Sequence, residues 1–150
     1  MTRIKVLLNG CFDLFHDGHK YLIYKTLDIM RPKDVLVALN TDESVKELKG
    51  EGRPSINLCN RADAVQKCID EWSQTNLVFT RVFIKPFATE IELAKIINEF
   101  EPTAIVKGND RPDVRKITGA DKWPTIIIPR LKDKNGDDIS TSKILEIGYK

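Results

Sequence analysis

The stretch I4-K5-V6-L7-L8-N9-G10-C11-F12-D13-L14-F15-H16-D17-G18-H19-K20-Y21-L22-I23 changes its hydrophobic period part-way along. Residues 4 to 9 are a short, nearly continuous apolar run, as expected of a strand buried on both faces, whereas apolar residues from His19 to Met30 recur at helical spacing. Between them lie Gly10, Gly18, Asp13, Asp17 and the chain's only two histidines, His16 and His19. The spacing predicts a helix that starts around Gly18, which puts His19 in a first turn whose backbone N–H groups lack helical partners and carry the positive end of the dipole. Such a turn attracts phosphate. Gly18 removes a side chain where a nucleotide must approach the backbone, and two imidazoles can donate hydrogen bonds to phosphate oxygens. Asp13 is placed to help hold a magnesium ion shared with those phosphates. Two simpler readings stay open: histidines near a turn, and a zinc pair, which would still need a third ligand.

The same alternation continues. Apolar runs recur at 34–40, 77–84, 103–108 and 125–129, separated by helical patterns at 61–72 and 89–100 and followed by another at 140–149. Strand alternating with helix implies right-handed crossovers. The expected fold is therefore α/β: a Rossmann-like, doubly wound, parallel five-stranded sheet with helices on both faces. Residues 41–60 are polar with little period and read as a long functional loop. Open parallel sheets bind ligands beyond the carboxyl ends of their strands. The polar segments after the first, second, fourth and fifth runs all fall there.

At 150 residues, 41% hydrophobic and 31% charged, the chain suits one folded domain spanning 1–150. A net charge of +2 gives no broad basic face for nucleic acid or membrane. The opening apolar run ends too soon for a signal peptide, and nothing reaches membrane-spanning length. Cys11, Cys59 and Cys68 form neither a CxxC pair nor a zinc pattern; they read as reduced core or strand-end thiols, and the expected location is cytoplasmic. Trp72 and Trp123 read as packing residues.

The polar loops carry further candidates. In K46-E-L-K-G-E-G-R53-P the glycines allow motion, and Lys46, Lys49 and Arg53 can close over a triphosphate or an acceptor phosphate; the alternative is a solvated basic loop. Arg61 opens the helix predicted over 61–72, a position that disfavours a cation unless an anion faces it. Asp110 can accept from the exocyclic amine of cytosine or adenine, or cap a helix over 111–117. Ser140 or Thr141 can cap the last predicted helix, and the remaining N–H groups with Thr141, Ser142 and Lys143 make a second anion site.

The segment G10-C-F-D-L-F-H-D-G-H19 resembles the HxGH signature of the cytidylyltransferase-like nucleotidyltransferases. L48-K-G-E-G-R-P54, N60-R-A-D-A-V65 and V106-K-G-N-D110 resemble segments of the heptose 1-phosphate adenylyltransferases. I128-P-R-L-K-D-K-N-G-D-D-I-S-T-S-K-I144 is similar to the Arg-Thr-Glu-Gly-Ile-Ser-Thr-Thr signature of the glycerol-3-phosphate cytidylyltransferases, with a short insertion after Arg130. The resemblance implies transfer of CMP or AMP from CTP or ATP, with Mg2+, to a small phosphorylated acceptor such as glycerol 3-phosphate or a sugar 1-phosphate, commonly in a homodimer. It assigns His16, His19, Lys46 and Arg130 to the reacting phosphates. Gly10, Cys11, Phe12, Asp13 and Gly18 would bind nucleotide from the first loop, with Asp13 on the metal. Lys107, Gly108 and Asp110 would line the base pocket, and Ile139, Ser140, Thr141 and Ser142 would join from the last segment. Lys49, Arg53 and Arg61 would hold the acceptor. A non-catalytic nucleotide-binding regulatory module on the same fold is the alternative.

Overall fold

The computed structural model describes residues 3–108, 116–129, 132 and 134–136. Five strands, β1 (Lys5–Gly10), β2 (Asp34–Asn40), β3 (Arg81–Phe87), β4 (Ala104–Gly108) and β5 (Thr125–Ile128), alternate with helices α1 (Asp17–Met30), α2 (Asp42–Lys49), α3 (Leu58–Asn76) and α4 (Glu90–Phe100). All adjacent strands pair in parallel, in the order β3-β2-β1-β4-β5. Strand order therefore reverses between β1 and β4, which opens a crevice above their carboxyl ends.

Alternation along the central strands sends side chains to two cores. Val6 and Leu8 of β1 and Val35, Val37 and Leu39 of β2 pack with Ile23 and Leu27 of α1 and Val65, Ile69 and Trp72 of α3. Leu7, Leu36, Ala38 and Ile105 turn the other way, against Leu93 and Ile97 of α4 and Ile117. Every residue of β2 is buried, so its run carries no alternation to read. Trp72 is buried and its indole donates to Asp28 at 2.7 Å, while Trp123 donates to Asn98 at 3.0 Å; both are packing residues.

Three expectations need correction. Residues 41–60 are not one loop: Thr41 caps α2, Gly50 (φ 97°) and Gly52 (φ 82°) turn the chain with a backbone glycine adopts freely, and Asn57 caps α3. The third strand starts at Arg81 rather than at 77, because α3 runs on to Asn76 and Leu77 ends it in the left-handed region (φ 54°). Cys59 is exposed on α3 instead of lying in the core, although Cys68 is buried and its thiol is pushed up to about 12 by that burial. The helix expected over 140–149 lies outside the described residues.

At the edge opposite the crevice, Asp34 is 3% exposed and accepts from Arg3 (Nε 2.6 Å, Nη2 3.1 Å) and Arg81 (Nε 2.8 Å), tying the chain start to β2 and β3. The hydrogen bond from Arg3, reinforced by Arg81 and opposed by burial, holds its carboxyl at about 2. A folded value below the unfolded one stabilises above the ordinary carboxylate range, and that contribution disappears as pH falls from about 4 to about 2. Because both arginines are half-exposed, the contribution is about 1–2 kcal/mol at neutral pH. Urea unfolding of Asp34→Asn beside the unsubstituted chain should show that gap at neutral pH and lose most of it near about pH 2.5. An equal gap at both values would assign the loss to packing.

Candidate active site

His16 is the N-cap of α1, with extended backbone (φ −121°, ψ 178°), and the helix begins at Asp17, one residue ahead of the expected start. Its Nδ1 accepts from the amides of Gly18 (3.0 Å) and His19 (3.3 Å), and Nδ1 of His19 accepts from the amide of His16 (3.3 Å). This is a reciprocal capping box built from imidazoles in place of the usual hydroxyl and carboxylate. A ring nitrogen that accepts an N–H carries no proton, so each neutral ring holds its proton on Nε2. The rings stack, with centroids 3.7 Å apart and planes 17° apart, and Phe12 and Phe15 flank His19 at 5.2 and 5.5 Å.

The loop feeding this cap is bent: Phe12 (φ 49°) and Leu14 (φ 48°) both occupy the left-handed region, which costs non-glycine residues on the order of 1 kcal/mol or more each. Asp13, between them, is 1% exposed. Its carboxylate accepts from Leu14 N (3.1 Å), Ser55 N (2.8 Å), Ile56 N (2.9 Å) and Arg53 Nε (3.1 Å). Burial pushes this carboxyl up, but the amides of Ser55 and Ile56 and the Arg53 guanidinium outweigh it and hold it below its ordinary value. Arg61, also 1% exposed, donates to Ile56 O (2.9 Å), Cys11 O (2.8 Å) and Asp42 Oδ1 (2.6 Å).

Above the strand ends lies a cavity of about 680 Å³. Gly10, Cys11, Phe12, Asp13, His16, Gly18 and His19 line its centre, as expected from the first loop. Lys107 and Gly108 line it from β4, with the Lys107 ammonium donating to Asn9 O (3.2 Å) and Asn9 Oδ1 (3.0 Å). Lys49 and Arg53 line it from the segment after β2. Cys11 Sγ meets Asn40 Oδ1 at 3.5 Å, and burial pushes its thiol up despite the pull of Lys49 and Arg61, so it remains a neutral packing group.

Two assigned residues land elsewhere. Lys46 is not in the cavity lining; it faces Glu51 at 3.4 Å in a shallow, largely acidic surface groove with Glu43 and Glu47, and Lys49 occupies the lining instead. Arg61 is not in the lining either, because all three of its guanidinium nitrogens are bonded within the protein. Asp110, Arg130, Ile139, Ser140, Thr141 and Ser142 lie outside the described residues. Lys116, Asn40, Ser44, Thr89 and Glu90 also line the cavity without having been anticipated. The strand-end rule could have found Asn40, the last residue of the second apolar run.

Asp13 does not suit the magnesium ligand expected of it, since both oxygens already accept N–H groups, two each. Among the described residues no group of three or more His, Cys, Asp or Glu side chains could hold a metal, the zinc alternative included. Nor, among those residues, is any helix long and apolar enough to cross a membrane.

The fold and the sequence both have counterparts among known proteins. The bifunctional protein HldE of Hydrogenovibrio crunogenus is 38% identical over 120 residues, covering 77% of this chain and 21% of that protein. The HldE of Helicobacter hepaticus is 31% identical over 144 residues, 94% of this chain and 26% of its own length. The chain thus spans about a quarter or less of these relatives. Among solved structures, a lipopolysaccharide core biosynthesis protein from Thermoplasma volcanium superposes with a TM-score of 0.62 at 18% identity, covering 89% of this chain and all of that one. A pantothenate synthetase from Thermus thermophilus gives 0.63 at 11% identity, over 99% and 63% of the two chains, which is likeness of fold alone. The sequence model described as cytidylyltransferase-like matches residues 7–147, nearly the whole chain, and the protein belongs to that family.

Proposed function

We propose that the protein is a nucleotidyltransferase that moves CMP or AMP from CTP or ATP to a small phosphorylated acceptor and releases pyrophosphate. The observation that carries this reading is the imidazole capping box: it places two side chains, each with a proton on Nε2, at the positive end of α1 and on the lining of the cavity. Lys49, Arg53, Lys107 and Lys116 add positive charge around the same space. The triphosphate arrives with the divalent cation it carries in solution, conventionally magnesium, as part of the substrate.

In this reading an oxygen of the acceptor phosphate attacks the α-phosphorus in line, and the bond to the β-phosphate oxygen breaks. The reaction needs no covalent intermediate with the protein. Its catalysis is positioning and neutralisation of the charge that builds on the phosphoryl oxygens. His16 and His19 donate through Nε2 to those oxygens, the lysines and Arg53 hold the triphosphate and the acceptor phosphate, and the crevice above β1 and β4 fixes the angle between them. The acceptor is a sugar 1-phosphate or a polyol phosphate such as glycerol 3-phosphate, as the resemblance of the 48–54 and 128–144 segments suggests.

Thermal unfolding with magnesium alone, with magnesium and CTP, and with magnesium and ATP tests the nucleotide. A ligand at a hundred times its dissociation constant adds about 2.7 kcal/mol, a clear rise in midpoint for one nucleotide. Pyrophosphate release with that nucleotide and each acceptor class then tests transfer. Binding without release under any acceptor would favour the regulatory module.

His16 has two jobs that substitution can separate. His16→Ala removes a donor and the cap, so turnover should fall about a hundredfold or more, about 3 kcal/mol of barrier, with about 1 kcal/mol of stability. His16→Asn, which keeps a capping acceptor, should recover most of the stability and little of the turnover. Unchanged turnover in folded His16→Ala would remove His16 from the reaction.

A further inference from the structure

We infer that Arg61 and Asp13 are positioning residues that clamp the 53–56 segment to the loop after β1, and that they act on the reaction through Arg53 rather than by touching substrate or metal. The inference rests on the nucleotidyl-transfer reading for its kinetic consequence but not for its geometry. Arg61 grips Cys11 O at 2.8 Å and Ile56 O at 2.9 Å, and Asp13, two residues beyond Cys11, grips the amides of Ser55 and Ile56 at 2.8 and 2.9 Å. The path Cys11 O, Arg61, Ile56, Asp13 and back along the chain is a closed ring joining segments about forty residues apart in sequence. Arg53 hangs from it: its Nε donates to Asp13 Oδ2 at 3.1 Å, which aims the guanidinium along the cavity lining. The third arm of Arg61 reaches Asp42 at 2.6 Å and brings the start of α2, the helix that carries Lys49, into the same frame.

Both clamp residues are buried: each Asp13 oxygen already accepts two N–H groups, and Arg61 lies outside the cavity lining with each of its three guanidinium nitrogens bonded inside the protein, so neither is presented to a phosphate or a cation. What the clamp fixes is a cationic side chain at the cavity and the two strained residues, Phe12 and Leu14, ahead of the capping box. Small losses of alignment in such a site are costly, because the reacting groups must meet in one geometry.

Two measurements on the ligand-free and the turning-over protein decide this. Hydrogen exchange at the Ser55 and Ile56 amides should accelerate roughly tenfold or more in Arg61→Met, although Arg61 bonds neither amide itself. Unchanged exchange there would overturn the clamp. The steady-state cycle of Arg53→Met, Arg61→Met and the double variant should be strongly non-additive. Each single raises the KM for nucleotide or acceptor roughly tenfold, and the double is at most about twofold worse than Arg53→Met alone. Multiplying effects would mean that Arg61 contacts substrate independently, and a lower active fraction with unchanged KM would mean a merely structural role; either overturns the inference. Should Arg61→Met fail to fold, Arg61→Lys keeps the cation but cannot span all three partners, and is expected to show the same pattern at smaller size. If the unsubstituted chain releases no pyrophosphate, the functional reading fails while the exchange measurement still decides the clamp.

Discussion

A helix must do something with the amides of its first turn, and this chain answers with imidazole nitrogens. Serine or aspartate would cap α1 as well. Imidazole adds a consequence: once Nδ1 of each ring accepts a backbone N–H, the ring's orientation is set and the proton of the neutral form stands on Nε2. Helix start and candidate anion site are thus one structure: both rings are oriented by the cap alone, and the Nε2 of His16 is itself buried. The strain in the preceding loop, at Phe12 and Leu14, is the cost of delivering His16 to the cap in this geometry.

That arrangement needs a floor that does not move. β1 is flanked by β2 and β4, and its residues fill two separate cores, so the end of the strand from which the loop departs is among the most constrained points in the molecule. The cavity lining carries Lys49, Arg53, Lys107 and Lys116 against the carboxylates Asp13, Glu47 and Glu90. With a net charge of only +2, this small local excess of cations comes from where the side chains are placed rather than from composition.

The central sheet was legible because local composition and tertiary environment agree: strands buried on both faces are continuous apolar runs, and α1 and α4 show their period plainly. α2 was not, because its eight residues include only two apolar side chains, Val45 and the exposed Leu48, too few to establish a period. Leu77 to Phe79 read as strand from their residue types, yet Leu77 and Phe79 are among the most exposed apolar residues, and the end of α3 decided their conformation. In the cavity, the glycines and histidines of the first loop could be found from spacing alone. The choice between Lys46 and Lys49, and the burial of Arg61, depend on contacts between segments distant in sequence, which no local pattern encodes.

Aspartate–arginine pairs occur at both ends of the sheet, and their surroundings give them different work. At the amino ends of the strands, Asp34 meets two arginines that remain half in water; each can be rebuilt or lost with little effect beyond stability. At the carboxyl ends, Arg61 and Asp13 are withdrawn from water. Burying charge is expensive, and apolar residues of similar volume often stabilise a fold as well, so stability alone is a poor reason for such groups to be there. What aliphatic side chains cannot do is hold two loops at fixed separation by their backbone carbonyls and amides. At this end of the sheet the loops, not the strands, carry the groups that line the cavity, and buried charge supplies the directional bonds that keep them in register.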